Sequence, residues 1–181
     1  MDMTEKFIST DYKFKGRIIN LRVDDVELPD GHKSTREVVE HGGGVGIIAI
    51  DDEGRVAAVR QYRTPYKEII YEIPAGKLES GEDPLVCGQR ELREETGYSA
   101  KNWTFLGNVY PSPGYCAEII RVFLATGLTA GEAQPDEGEF IEAEFIPLDK
   151  MVEMVMTDEI KDAKTQVAVL KAAILRERNE L

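Results

Sequence analysis

A mixed α/β (α+β) domain preceded by an N-terminal β-hairpin is the fold class the sequence predicts, and three observations predict it. Extended runs broken by Pro, Gly and Asp turns fill the first third of the chain. A capped helix follows, opened by Asp83-Pro84 and closed by Gly97. Further extended runs then give way to an amphipathic helical pattern at the C-terminal end. A chain of 181 residues with 42% apolar content holds one globular domain with a short appendage. The boundary falls between a hairpin region, residues 1–42, and a larger domain, residues 43–181.

The elements follow in order. Arg17 to Leu28 (RIINLRVDDVEL) alternates loosely, Pro29-Asp30-Gly31 supplies a turn, and Ser34 to His41 (STREVVEH) resumes an extended run, which makes a hairpin. Val45 to Ile50 and Val56 to Tyr62 are strands separated by Asp51-Asp52-Glu53-Gly54. Ile69 to Ile73 is a short strand that Pro74-Ala75-Gly76 closes, opening a loop. One helix covers residues 84–96, with Gly88 the sole breaker inside it. Trp103 to Tyr110, Ile119 to Ala125 and Glu139 to Ile146 read as strands, and Asp149 to Met156 as a short helix. From Asp162 onward, Ala163, Val167, Leu170 and Ile174 recur at helical spacing.

Charge and composition exclude several function classes. A formal net charge of −12, with 22 basic against 34 acidic residues, argues against binding a nucleic-acid backbone. An acidic protein can still act on an anionic substrate when a divalent cation sits between them. Cys87 and Cys116 form no metal-spaced or disulfide pattern. The opening MDMTEKFIST lacks the apolar run of a secretory signal, and no stretch is long enough to span a bilayer. A soluble, cytoplasmic protein with no membrane partner is the expectation.

The chemistry concentrates in Gly76 to Tyr98, GKLESGEDPLVCGQRELREETGY. On the helix, Glu91, Glu94 and Glu95 stand at i, i+3 and i+4, so three carboxylates project from neighbouring positions of one face. Their mutual repulsion is costly without a cation, and a hard divalent ion takes oxygen ligands of this kind. Arg90, four residues before Glu94, is placed to orient that carboxylate by a charge-assisted hydrogen bond. Taken alone, such a helix reads as a solvated face with Arg90 and Arg93 balancing the acids.

Spacing changes that reading. The stretch resembles the Nudix box, which runs Gly, five residues, Glu, seven residues, Arg-Glu, an apolar residue, any residue, Glu-Glu, any residue, Gly, and an apolar residue. Gly76, Glu82, Arg90, Glu91, Leu92, Glu94, Glu95 and Gly97 all fall in place, and only Tyr98 departs, where an aliphatic residue is usual. With seven fixed residue types at about one in ten each, a chance match has a probability on the order of 10⁻⁵ to 10⁻⁴. Pro113, fifteen residues beyond Tyr98 within Tyr110-Pro111-Ser112-Pro113-Gly114, resembles the proline that marks the ADP-ribose pyrophosphatase branch of the family. The order of elements is similar to that branch as well. The resemblance therefore implies a Nudix-type α/β/α sandwich with a mixed β-sheet over residues 43–181, and a dimerisation element over residues 1–42.

Site residues carry over from the resemblance one by one. Glu91 and Glu95 would be metal ligands together with the backbone carbonyl of Ala75, and Glu94 would stand close to the same cluster. Several Mg²⁺ ions are implied, with Mn²⁺ a substitute. Arg36 and Glu37 in Thr35-Arg36-Glu37, and Arg63 in Gln61-Tyr62-Arg63, match positions that hold the substrate's phosphates or its terminal ribose. Ser112, Pro113 and Gly114 would line the substrate cleft, and Glu118 would reach a ribose hydroxyl. His41, ahead of Gly42-Gly43-Gly44, would contact substrate, whereas His32 lies in an exposed turn. The catalytic base would come from the acidic loop Gln134 to Glu139: by position Glu137 is the base and Glu139 a further metal contact, with Glu139 as the base the alternative.

The adenine contact is where the chain departs most from the family. Aromatic residues of a second subunit often stack the base, whereas the matching positions here are Arg17 and Ile18, with Tyr12 and Phe14 the nearest aromatics. A guanidinium plane can stack in their place. A swapped homodimer is implied by the family pattern. The implied reaction is attack of a metal-activated water on one phosphorus of ADP-ribose, giving AMP and ribose 5-phosphate, with Glu137 taking the proton. The alternatives are hydrolysis of another nucleotide sugar or dinucleotide by the same box, and a nucleotide-binding module without turnover.

Overall fold

The computed structural model describes residues 2–134, 138 and 140–181. They form two compact units, Met1–Gly43 with Tyr110–Ile119, and Gly44–Val109 with Ile120–Leu181.

The first unit is a three-stranded antiparallel sheet in the order β1 (Lys6–Lys15), β2 (Ile19–Glu27), β3 (Lys33–His41). The predicted hairpin is present as β2 and β3, and β1 adds a strand that the sequence pattern did not announce. Every residue of β1 is exposed, so its alternation buries nothing. Gly16 N–H donates to Ile19 O at 2.9 Å and closes the β1–β2 turn, so Arg17 and Ile18 sit at the turn's tip rather than in the strand where the sequence pattern put them. Tyr110–Ile119 is laced to β3 at one residue: Val39 N–H donates to Tyr115 O at 2.8 Å and Ala117 N–H to Val39 O at 2.9 Å.

The second unit is built on a seven-stranded mixed sheet. Its path is β10 (Ile141–Pro147), β5 (Arg55–Arg63), β4 (Gly44–Ile50), β9 (Ile120–Ala130), β8 (Tyr98–Val109), with β6 (Glu68–Glu72) on β5 and β7 (Ala75–Lys77) on β4. The β4–β9 pair is parallel and the other pairs are antiparallel. Among the described residues three helices, α1 (Pro84–Thr96), α2 (Leu148–Met156) and α3 (Ala163–Glu177), cover its two faces. Strand β4 is buried throughout, and its side chains divide by the period of two. Val45, Ile47 and Ala49 join Cys87 and Leu92 of α1. Ile48 and Ile50 join Met151 and Met154 of α2 and Ala168, Val169 and Ala172 of α3. This is the expected α/β/α sandwich. No helix among the described residues is long and apolar enough to cross a membrane.

Pro74-Ala75-Gly76 was expected to open a loop, yet β7 begins at Ala75 and pairs with β4, Val45 opposite Gly76. Gly44 makes that approach possible, because a Cβ there would lie 2.7 Å from Gly76 O.

Candidate active site

The box helix is fixed at both ends by its own sequence. Asp83 accepts the N–H groups of Leu85 at 2.9 Å and Val86 at 3.3 Å, and Pro84 needs no hydrogen bond at the first helical position. Gly97 ends the helix at φ 78°, its N–H on Arg93 O at 2.9 Å. A Cβ on Gly97 would come within 2.7 Å of Ala133 N and 2.9 Å of Gly131 O, and Gln134 N–H donates to Glu94 O at 3.0 Å. The chain leading to the acidic loop is thus seated on the end of the box helix.

Cys87, Gly88, Leu92 and Glu95 are the buried residues of α1. Leu92 and Cys87 enter the apolar core and so set the helix rotation. That rotation turns Glu91 toward β7, where Gly76 has no side chain to oppose it: a Cβ on Gly76 would sit 1.8 Å from Glu91 Cδ. The first glycine of the box is therefore required by the carboxylate that ends up against it. Glu95, 8% exposed, accepts the Ala75 N–H at 3.1 Å through Oε2 and so holds the peptide of β7 against its own carboxylate.

Arg90 is the hub. Its Nη1 donates to Glu91 Oε1 at 2.7 Å and to Glu94 Oε2 at 2.9 Å, while Nε and Nη2 reach Glu82 Oε1 and Oε2 at 3.1 and 3.2 Å. The orienting bond expected from Arg90 to Glu94 is present, and two further carboxylates share the same guanidinium. These bonds hold the Glu82 carboxyl down at about 2. They also raise the guanidinium's own pKa, Glu82 contributing most. The Cys87 thiol beside them is pushed up to about 12, mainly by burial, so it stays protonated and unreactive. Among the described residues no three acidic, imidazole or thiol side chains already converge on one point. The donor chemistry nonetheless suits a hard cation: Glu91, Glu94 and Glu95 are all carboxylates, and Glu91 fills the space that Gly76 leaves.

Arg63, at the end of β5, makes a two-point ion pair with Glu72, Nε to Oε1 at 2.5 Å and Nη2 to Oε2 at 2.7 Å. Glu72 and Glu82 take part in these contacts although the sequence pattern did not single out Glu72 or give Glu82 a site role. An acid inside the apolar run EIIYEI and an acid eight residues before Arg90 were the signals available for them.

The remaining candidates lie in the first unit. Arg36 is bound by Glu5 through Nε at 3.0 Å and through Nη2, and by Ser34 Oγ at 3.1 Å and Thr35 O at 2.8 Å through Nη1. Glu37, opposite Val23 in the β2–β3 register, neighbours it on the strand. His41 Nδ1 accepts the Gly43 N–H at 3.0 Å, and Glu118 Oε1 lies 3.4 Å from the same nitrogen, so His41 and Glu118 are brought together. Ser112 O accepts from Tyr115 and Cys116 at 3.2 and 2.9 Å, which makes Ser112, Pro113 and Gly114 a turn. Arg17 and Ile18 are exposed at the β1–β2 turn. His32 is exposed as expected. Glu137 and Glu139 lie outside the described residues.

Residues 40–168 match the model of the NUDIX domain, and residues 5–39 match that of the nucleoside diphosphate sugar hydrolase N-terminal domain. The chain is 46% identical to the ADP-ribose pyrophosphatase of Bacillus subtilis (strain 168), over 92% of this chain and 91% of that protein. It is 47% identical to the methanol dehydrogenase activator of Bacillus methanolicus, over 91% and 90%. A crystal structure titled ADP compounds hydrolase superposes with a TM-score of 0.85 at 21% identity, covering all of both chains, which supports the fold. With its complete box seated against Gly76 and its match over residues 40–168, the chain belongs to the Nudix family.

Proposed function

We propose that the chain hydrolyses the diphosphate of ADP-ribose to AMP and ribose 5-phosphate with the aid of Mg²⁺. The observation that carries this reading is the Gly76–Glu91–Arg90 arrangement: one guanidinium gathers Glu91 and Glu94 of the box helix and Glu82 of the loop before it, and Glu91 lies against the side-chain-free Gly76 of β7. The 46% identity to an ADP-ribose pyrophosphatase supports the substrate. Glu91 and Glu95 would hold the metal with the Ala75 carbonyl, and Glu139 by resemblance. When bound, divalent ions supply Lewis acidity to the diphosphate oxygens and to water.

The chain's own residues do the rest. Glu95 fixes the Ala75 peptide by its hydrogen bond, so the strand that offers the carbonyl does not drift. Arg90 orients Glu91 and Glu94 through its hydrogen bonds. Arg63, already fixed in orientation by Glu72, offers positive charge to a phosphate. Glu137 would take the proton from the attacking water. For Arg36, Glu37, His41, Ser112, Pro113, Gly114 and Glu118, and for Arg17 and Ile18 as the adenine contact, the resemblance is the support. Relative kcat/KM on a panel of ADP-ribose, GDP- and UDP-sugars and dinucleotides tests the substrate: ADP-ribose should lead by at least about tenfold, and a lead by another diphosphate would replace it.

A homodimer in the cytoplasm belongs to the same proposal. Among the described residues strand β1 is an edge of its sheet, paired only with β2, with Phe7, Ile8, Tyr12 and Phe14 exposed, which is the kind of edge that a second chain covers. Sedimentation at micromolar concentration should give twice the chain mass. A second reading, activation of a dehydrogenase, is favoured by the 47% identity to a methanol dehydrogenase activator. Adding the chain to a methanol dehydrogenase assay tests it.

A further inference from the structure

Outside the box, the second unit buries a second set of charges. Glu72, the last residue of β6, is 2% exposed, and Lys164, in the first turn of α3, is 8% exposed. Arg63 binds both oxygens of Glu72, and Lys164 Nζ binds Glu72 Oε2 from the helix side while lying 3.1 Å from Asp162 Oδ2. Thr165 closes the cluster: its Oγ1 donates to Asp162 Oδ2 at 2.6 Å and accepts the Ile73 N–H at 2.9 Å. Two cations and two anions cancel. Burial by itself would raise the Glu72 carboxyl, but Arg63 and Lys164 more than reverse that and keep it ionised.

Charges this deep bring little net stability. Each costs several kcal/mol to take out of water, and a well-packed apolar replacement commonly does as well. What an apolar replacement cannot supply is a fixed guanidinium plane, because two parallel bonds to a carboxylate leave Arg63 no freedom to rotate about that edge. Glu72 is itself immobile, clasped by Lys164 and followed by Ile73, whose N–H is held by Thr165. The pair uses Nε and Nη2 of Arg63. Among the described residues Nη1 has no partner, and the side chain is 39% exposed.

We infer that Glu72, clasped by Lys164, is a positioning residue that presents the outer edge of Arg63 to the diphosphate of the substrate. This rests on the reading of Arg63 as a phosphate-binding residue. The α3 helix, far from the box in sequence, thereby acts on substrate binding through a buried lysine.

The test is the double variant Glu72→Gln/Lys164→Met of the full chain, which removes the buried charges with little change in shape. Its melting temperature should stay within about 5 °C of the parent. KM for ADP-ribose should rise about tenfold with kcat within about threefold, and the Mg²⁺ concentration for half-maximal rate should not move. Arg63→Ala should then add little in the double-variant background, whereas it should cost about tenfold in KM alone. A folded double variant with the parent's KM, or an Arg63→Ala effect that is fully additive, overturns the proposal. So does a shift in Mg²⁺ dependence with KM unchanged. If the double variant fails to fold, Glu72→Asp keeps the charge but shortens the reach, and a parental KM there overturns it equally. Calorimetric affinity for ADP-ribose, about tenfold weaker in the variant, is read without turnover. A parent that binds ADP-ribose but cleaves no diphosphate therefore removes the hydrolytic reading and leaves this one standing, and a parent that does not bind ADP-ribose removes this one.

Discussion

A Cβ on Gly76 would lie 1.8 Å from the carboxyl carbon of Glu91, so the strand and the helix carboxylate share a space that only glycine leaves open. Gly76→Ala must displace either β7 or the Glu91 side chain. Because Glu91 stands at the edge of the cluster and not in the apolar core, the carboxylate moves first. We expect kcat to fall by at least ~10²-fold while the melting temperature drops by only a few degrees, about 5 °C or less. Steady-state kinetics beside a thermal melt checks this. Activity within a few-fold of the parent would show that the position of Glu91 is not used.

Glu94→Gln and Glu95→Gln each remove a charge while keeping shape. At Glu95 the amide oxygen can still accept the Ala75 N–H, so the 3.1 Å contact survives the change. A loss in kcat of at least ~10²-fold at saturating Mg²⁺, with an unchanged circular dichroism spectrum, is the expected result for both. A fully active, folded variant would remove that residue from the charge cluster.

Much of this was legible in the sequence, and what was not has a physical reason. Asp83, Pro84 and Gly97 announce the box helix because caps are local chemistry, and their geometry agrees to the residue. Strand β1 gave no signal because all of it is exposed. Strand β7 is three residues long and is held by its neighbours, β4 and Glu95, rather than by a pattern of its own. The i, i+3, i+4 carboxylates were evident, but not that one arginine would gather Glu82, Glu91 and Glu94, since Glu82 arrives from the loop before the helix. Lys164 and Glu72 were invisible as a pair: lysine is rarely buried, and their partnership spans 92 positions.

Acid should reveal the Arg90 hub. Glu82 titrates at about 2 in the folded chain against an ordinary 4.5, chiefly because of its bonds to Arg90. A carboxyl whose folded pKa lies below its unfolded one adds stability that is fully present above the unfolded value. That stability is lost as pH falls through the folded value. The contribution, on the order of 1 to 3 kcal/mol, should therefore disappear between about pH 4.5 and pH 2. In Glu82→Gln the melting temperature should fall less over that window than in the parent. Parallel curves would contradict the assignment.

The acidic loop separates by which parameter moves. Glu137→Gln should lower kcat sharply with KM for ADP-ribose nearly unchanged, and higher pH should partly restore it, since hydroxide can replace a missing base. Glu139→Gln should instead raise the Mg²⁺ concentration for half-maximal rate. If the pH-rescued defect appears in Glu139→Gln, the two roles are exchanged. If neither variant changes the rate, Glu94 becomes the candidate base.

Metal-dependent cleavage of ADP-ribose at the box helix is tested by following both products by chromatography with and without a chelator. With Mg²⁺ present, AMP and ribose 5-phosphate should appear in equal amounts. With the metal stripped, both should cease while the melting temperature stays within about 5 °C, because a core of this size does not need an ion to fold. Undiminished turnover in chelator, or no AMP from ADP-ribose at any metal concentration, would contradict the account.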